Sequence, residues 1–165
     1  AHVFVQSQRH FRPPTDSDKA AIMVGPGTGI APFRGFMRDR AARGHKGRNW
    51  MFFGERNSHT DFYYREELQE LQDNGVLTRL DTAFSRDQQH RIYVQDRMRQ
   101  NGRELWNWLD DGAHFYVCGD RLRMAKDVEA TLLEIAGEHG RLGPAAAKDW
   151  LAELAESGRY ARDVY

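Results

Sequence analysis

Short apolar runs, each closed by a glycine, alternate along this chain with stretches in which apolar residues recur every three or four positions. Ala20-Ala21-Ile22-Met23-Val24 stops at Gly25-Pro26, Trp50-Met51-Phe52-Phe53 at Gly54, and His114-Phe115-Tyr116-Val117-Cys118 at Gly119. Uninterrupted runs of this length predict strands buried on both faces. Residues 76–84 alternate enough for a further strand, and residues 159–165 for a last one.

Between these runs the period changes. Residues 32–42 are predicted helical, with Pro32 tolerated in the first turn. Residues 62–73 carry Tyr64, Leu68 and Leu71 on one helical face and are ended by Asn74-Gly75. One or two short helices are expected within residues 91–110, around Trp106 and Trp108. Ala125, Val128, Leu132 and Ile135 mark a long helix ending at Gly137 or Gly140, and Ala147, Leu151 and Leu154 mark the last one. Strand and helix alternate throughout. The expected fold is therefore α/β, a doubly wound open parallel sheet of about five strands, Rossmann-like.

The length of 165 residues suits one domain. Residues 1–19 read as a lead-in strand (His2-Val3-Phe4-Val5) followed by a proline-rich linker at 11–16, and residues 20–165 as the domain proper. A start on a strand with no methionine reads as a piece of a longer protein. Lys+Arg and Asp+Glu both number 24, which gives no net charge to attract nucleic acid or an anionic membrane. No apolar run approaches the ~20 residues that span a bilayer. The single cysteine cannot form an internal disulfide, which fits a reducing cytoplasm, and the seven histidines show no zinc-ligand spacing.

In such folds ligands bind at the carboxyl ends of the strands, so the residues just past each strand matter most. After the first comes Gly25-Pro26-Gly27-Thr28-Gly29-Ile30-Ala31-Pro32, directly before a helix. Glycines admit close backbone approach, and the helix start offers free N–H groups to a phosphate. It is not a Walker loop, because no Lys-Ser/Thr pair comes after the glycines, and Ile30 stands where the usual dinucleotide fingerprint has its third glycine. After the third strand come Ser85-Arg86-Asp87 and Arg91-Ile92-Tyr93-Val94-Gln95. A hydroxyl, two guanidinium groups and an aromatic suit an adenosine carrying an extra phosphate. Two charge-assisted contacts at about 1.5–3 kcal/mol each would favour the 2′-phosphorylated cofactor by roughly 10²–10⁴. Cys118-Gly119-Asp120-Arg121 ends the fourth strand and begins the loop after it. A lone cysteine there is more often a small core residue than a functional one, and a terminal aromatic such as Tyr165 is more often frayed.

Taken together these residues resemble the NADP(H) domain of the ferredoxin–NADP reductase superfamily. Within it they resemble the diflavin branch, and most of all the flavoprotein subunits of bacterial NADPH-dependent sulfite reductases. Besides the glycine loop, the likeness rests on Phe52-Phe53-Gly54, Tyr64-Arg65-Glu66-Glu67-Leu68, Ser85-Arg86-Asp87-Gln88 and Ile92-Tyr93-Val94-Gln95-Asp96. It continues through Tyr116-Val117-Cys118-Gly119-Asp120, Met124-Ala125-Lys126-Asp127-Val128 and Arg159-Tyr160-Ala161-Arg162-Asp163-Val164-Tyr165.

The resemblance implies that Gly25, Pro26, Gly27 and Thr28 hold the cofactor pyrophosphate with help from Arg56. Ser85, Arg86 and Arg91 would take the 2′-phosphate, with Tyr93 on the adenine and Gln95 nearby. Cys118 would lie beside the nicotinamide, with Gly119 and Asp120 shaping that loop. Asp163 would favour the positive charge that develops on the ring, and Tyr165 would stack on the flavin until the nicotinamide displaces it. The implied reaction is hydride transfer from NADPH to FAD. Electrons would then pass through FMN to a metal-containing acceptor such as a sulfite reductase haemoprotein. The FAD- and FMN-binding domains would lie upstream of Ala1, so this chain alone is expected to bind NADP(H) without turnover. Arg91 stands where the family often has lysine, and Arg121 where a small residue is common. Two other readings stay open: the same domain of a diflavin reductase serving a haem protein or nitrate reductase, and an NADP(H)-sensing module without chemistry.

Overall fold

The computed structural model describes residues 10–165, so the strand expected at 2–5 lies outside the described residues. Among these, one sheet holds five parallel strands: β1 (Ala21–Val24), β2 (Asn49–Glu55), β3 (Arg79–Phe84), β4 (His114–Gly119) and β5 (Tyr160–Val164). The helices between them are α1 (Ala31–Ala42), α2 (Arg65–Asp73), α3 (Val94–Gln100), α4 (Gly102–Asp110), α5 (Met124–Glu138) and α6 (Pro144–Glu156). Strand order is β3-β2-β1-β4-β5. The chain winds outward from β1 to β3, then returns to the other side of β1 for β4 and β5. The order reverses between β1 and β4, and this is the doubly wound open α/β sheet that the alternation predicts.

The apolar runs become strands because both of their faces are covered. Ile22, Val24, Trp50, Phe52, Phe115 and Val117 point to one face, where Met98, Leu105, Val128, Leu132 and Leu151 of α3–α6 pack on them. Ala21, Met23, Met51, Phe53, Tyr116 and Cys118 point to the other, under Phe33 and Met37 of α1 and Leu68 of α2. Burial of a large side chain on either face is worth about 1.5–3 kcal/mol, so a strand exposed on one side would forfeit half of that gain. Phe11 is buried too, against Phe33, Phe36 and Tyr116 at ring distances of 5.8, 5.3 and 5.6 Å. Part of the segment read as linker therefore packs onto the domain.

Several boundaries differ from those the sequence predicts. Gly54 and Gly119 lie inside their strands, Gly54 in register with Ala83 and Gly119 with Val164. The helix expected from residue 62 begins at Arg65. Phe62 stacks on Phe53 at 5.3 Å and meets Phe84 at the same distance, so its ring belongs to the core before the helix can start. Asn57 and Asp61 close the preceding turn, the Asn57 N–H donating to Asp61 Oδ2 at 3.0 Å. The strand expected from residue 76 begins at Arg79, because the N–H groups of Val76 and Leu77 both donate to the Leu71 carbonyl and finish α2. The segment 91–110 divides at Asn101 into α3 and α4.

One contact sets how the loop after β1 sits. A Cβ on Gly29 would collide with the carbonyl oxygen of Cys118 and approach its carbonyl carbon to 2.9 Å. Gly29→Ala is expected to cost about 1–3 kcal/mol of stability, as overpacking does, read as a lower urea midpoint. An unchanged midpoint would show that the loop can lift off β4 freely.

Candidate functional site

A cleft of about 660 Å³ runs along the carboxyl edge of the sheet. It is lined from β3 (Ala83), β2 (Gly54, Glu55), the loop after β1 (Pro26, Gly27, Thr28), β4 (Gly119) and the residue after β5 (Tyr165). Its volume lies within the range of small-molecule and cofactor sites. Its position, spanning the point where strand order reverses, is where this topology leaves a crevice.

The central loop is built by backbone constraint. Gly27 has φ +57°, a left-handed value, and begins a 3-10 turn, Gly27–Ile30, that leads into α1. Gly25 is packed underneath, where a Cβ would come within 2.5 Å of the Gly29 carbonyl oxygen. The first N–H groups of such a turn have no partner within the helix and are free for a ligand.

On the β3 side, main-chain bonds bring the arginines together. The Ser85 N–H donates to the Glu55 carbonyl at 2.9 Å and the Arg86 N–H to the Arg56 carbonyl at 2.8 Å. Asp87 ties down the same corner by accepting from the Ser58 N–H at 3.2 Å, and hydrogen bonding from Ser58 holds its carboxyl below the usual range. Tyr93 precedes α3 and is 42% exposed in the cleft, its N–H donating to Asp96 Oδ2 at 2.8 Å. Gln95 reaches Asp127 Oδ2 at 3.4 Å. Among the described residues Arg56, Arg86 and Arg91 form no ion pair, although nine other pairs are present. Unpaired guanidinium groups facing one cleft favour an anionic ligand.

On the β4 side, Asp120 acts as a cap. Its carboxylate accepts from the N–H groups of Leu122 (3.2 Å), Arg123 (3.0 Å) and Met124 (3.2 Å) at the start of α5. Those bonds, that from Met124 foremost, hold its carboxyl below the usual range. Tyr165 is tied at three points. Its N–H donates to the Gly119 carbonyl (3.1 Å), its main-chain oxygen accepts from Arg121 (3.0 Å), and its hydroxyl lies 2.8 Å from Thr28 Oγ1.

All the residues singled out from the sequence line this cleft except Gly25, Cys118 and Asp163. Cys118 is 3% exposed, and its side chain belongs to the core on the α1 face of the sheet. Burial, and after it the nearby Asp163 carboxylate, pushes the thiol up to about 11. Asp163 is half-buried, in register beside Cys118. Sequence reasoning missed Glu55, Arg123, Met124 and Asp127, which also line the cleft. Glu55 directly follows Gly54, so attention to the residues just past each apolar run would have reached it, whereas Arg56 was implied by the resemblance alone. Arg123 and Asp127 required knowing that α5 starts at Met124 and points its first turn inward.

The profile of the oxidoreductase NAD-binding domain family matches residues 23–130. The chain belongs to that family. Over 163 residues, 99% of this chain, it is 55% identical to the sulfite reductase (NADPH) flavoprotein alpha-component of Klebsiella pneumoniae. It is 53% identical to that of Serratia proteamaculans and 52% to that of Yersinia pestis. The chain spans 27% of the length of these relatives. As an oxidoreductase NAD-binding domain it carries its glycine loop and the first turn of α5 within the matched segment, whereas Asp163 and Tyr165 lie beyond it.

Because burial raises the Cys118 thiol to about 11, the native protein holds it protonated near neutrality. Stability tied to the neutral form is fully present below the ordinary thiol value of about 8.5 and is lost as pH rises from there to about 11. Labelling with a disulfide reagent at pH 8 is expected to be roughly a hundredfold slower than in urea, from thiolate fraction alone. Equal rates would mean that the thiol is open to solvent.

Proposed function

We infer that this domain binds NADP(H) and presents its nicotinamide to a flavin held by another domain, as in a sulfite reductase flavoprotein. The carrying observation is a single cleft that joins a glycine loop, four arginines (Arg56, Arg86, Arg91 and Arg123) without ion pairs among the described residues, and tyrosines near both ends of the sheet. The order of these groups along the edge supports one orientation. Ser85, Arg86 and Arg91 would bind the 2′-phosphate, with Tyr93 against the adenine and Gln95 beside it. The N–H groups of Gly27 and Thr28, over Gly25 and Pro26 and helped by Arg56, would bind the pyrophosphate.

The nicotinamide end is then left to Gly119, Asp120 and Tyr165, with Cys118 and Asp163 behind them. When bound, NADPH supplies a hydride and FAD accepts it. The protein's part is to orient and shield. Asp120 fixes the loop, Asp163 supplies negative charge near the ring, and Tyr165 covers the flavin face until the nicotinamide takes its place. Cys118, held neutral, would shape the pocket without adding charge.

In this proposal residues 20–165 form the NADP(H) domain and residues 1–19 lead in from an FAD-binding domain, with Phe11 packing back. An FMN domain and a metal-containing acceptor, such as a sulfite reductase haemoprotein, would complete electron transfer. The names of the similar proteins from Klebsiella, Serratia and Yersinia support that setting over the haem-protein, nitrate-reductase or sensing alternatives. A reducing cytoplasm suits the single cysteine.

Calorimetric titration with NADP⁺ and NAD⁺ in low-phosphate buffer tests the reading. NADP⁺ is expected to bind at least about tenfold more tightly, and Arg86→Ala to remove most of that preference. Equal affinities for the two cofactors would overturn the 2′-phosphate assignment. Glu55, a carboxylate in the proposed phosphate region, should oppose the ligand. Glu55→Gln is expected to tighten NADP⁺ by about two- to fivefold, an effect that fades at high salt. Weaker binding in this variant would instead make Glu55 a ligand contact.

A further inference from the structure

The Tyr165 hydroxyl meets the glycine loop, 2.8 Å from Thr28 Oγ1, although its residue belongs to the far end of the sheet. Its main chain is held by Gly119 and Arg121, yet the residue is 68% exposed. Packing therefore does little to fix the ring, and the hydroxyl contact is what sets its direction across the cleft.

The chemistry of the pair selects a direction for the hydrogen bond. A phenol is the stronger acid and the better donor, while an aliphatic hydroxyl has one proton and two lone pairs. With Tyr165 donating, Thr28 accepts and its own proton is left free within the loop. Phosphate oxygens only accept, so a free Thr28 proton beside unpartnered N–H groups is the complement they need.

We propose that Tyr165 is a positioning residue for the pyrophosphate: its hydroxyl donates to Thr28 Oγ1 and thereby orients the Thr28 proton toward the cofactor. This rests on the reading of the cleft as an NADP(H) site. It adds a role for the hydroxyl that is separate from any stacking by the ring. Hydrogen bonds in a chain strengthen one another, so a ligand at the loop holds the tyrosine more firmly. Only a ligand carrying a nicotinamide has reason to push the ring aside.

The test uses Tyr165→Phe, which keeps the ring and removes the hydroxyl, with three ligands titrated calorimetrically. For 2′-phospho-ADP-ribose, which has the pyrophosphate but no nicotinamide, affinity is expected to fall about three- to tenfold, the range of one hydrogen bond. For 2′-AMP, which lacks the pyrophosphate, affinity should be unchanged. Thr28→Val should lose a similar factor, with little added by combining it with Tyr165→Phe, and Thr28→Ser should restore binding.

Equal or tighter binding of 2′-phospho-ADP-ribose by Tyr165→Phe, with 2′-AMP binding intact, overturns this proposal and leaves the NADP(H) reading standing. A change confined to NADP⁺ overturns it as well, since the ring would then act through the nicotinamide alone. Absence of wild-type binding to all three ligands overturns both.

Discussion

The absence of a side chain on Gly29 lets the loop after β1 lie directly against the carbonyl of Cys118. That contact joins the two strands between which the sheet reverses its order. With any other residue the loop would have to rise from β4, and the crevice at the reversal would lose its floor. Pro26 and Gly54 meet at the same place: a Cβ on Gly54 would come within 3.2 Å of Pro26 and 3.0 Å of Val94. The cleft is thus shaped by backbone brought close to backbone, and its side chains are arranged around that base.

Charge is then distributed unevenly along the cleft. Carboxylates are present, but Asp120 is engaged by three N–H groups at the start of α5, and Glu55 accepts from the Arg56 N–H at 3.0 Å. The guanidinium groups of Arg56, Arg86 and Arg91 have no such engagement among the described residues. The main-chain bonds between β2 and β3 hold Arg56 and Arg86 at neighbouring positions despite the like-charge cost. A site that keeps cations together and unpaired while capping its anions is suited to a polyanionic ligand.

The end of the cleft at β4 and β5 has a different character. Cys118 is buried with a raised thiol, Asp163 sits beside it in register, and the exposed ring of Tyr165 is oriented by a hydroxyl. These three residues sit at the margin rather than around a cavity of their own.

The information legible in the sequence was local. Uninterrupted apolar runs of four or five residues closed by glycine are too short for buried helices and fit strands in a two-sided sheet, so the α/β class and the strand centres at Ile22, Phe52 and Val117 could be read directly. The glycine loop and the arginines could be assigned to strand ends because each lies within a few residues of its strand. Whatever depended on distant partners was settled by packing. Phe62 left its helix because Phe53 and Phe84 offered a better surface, and Gly54 and Gly119 stayed in their strands because pairing with Ala83 and Val164 outweighed their weak strand propensity. The Thr28–Tyr165 contact joins residues 137 positions apart. No periodicity or spacing encodes such a pair, since it exists only once the sheet has brought β1 and β5 to the same edge.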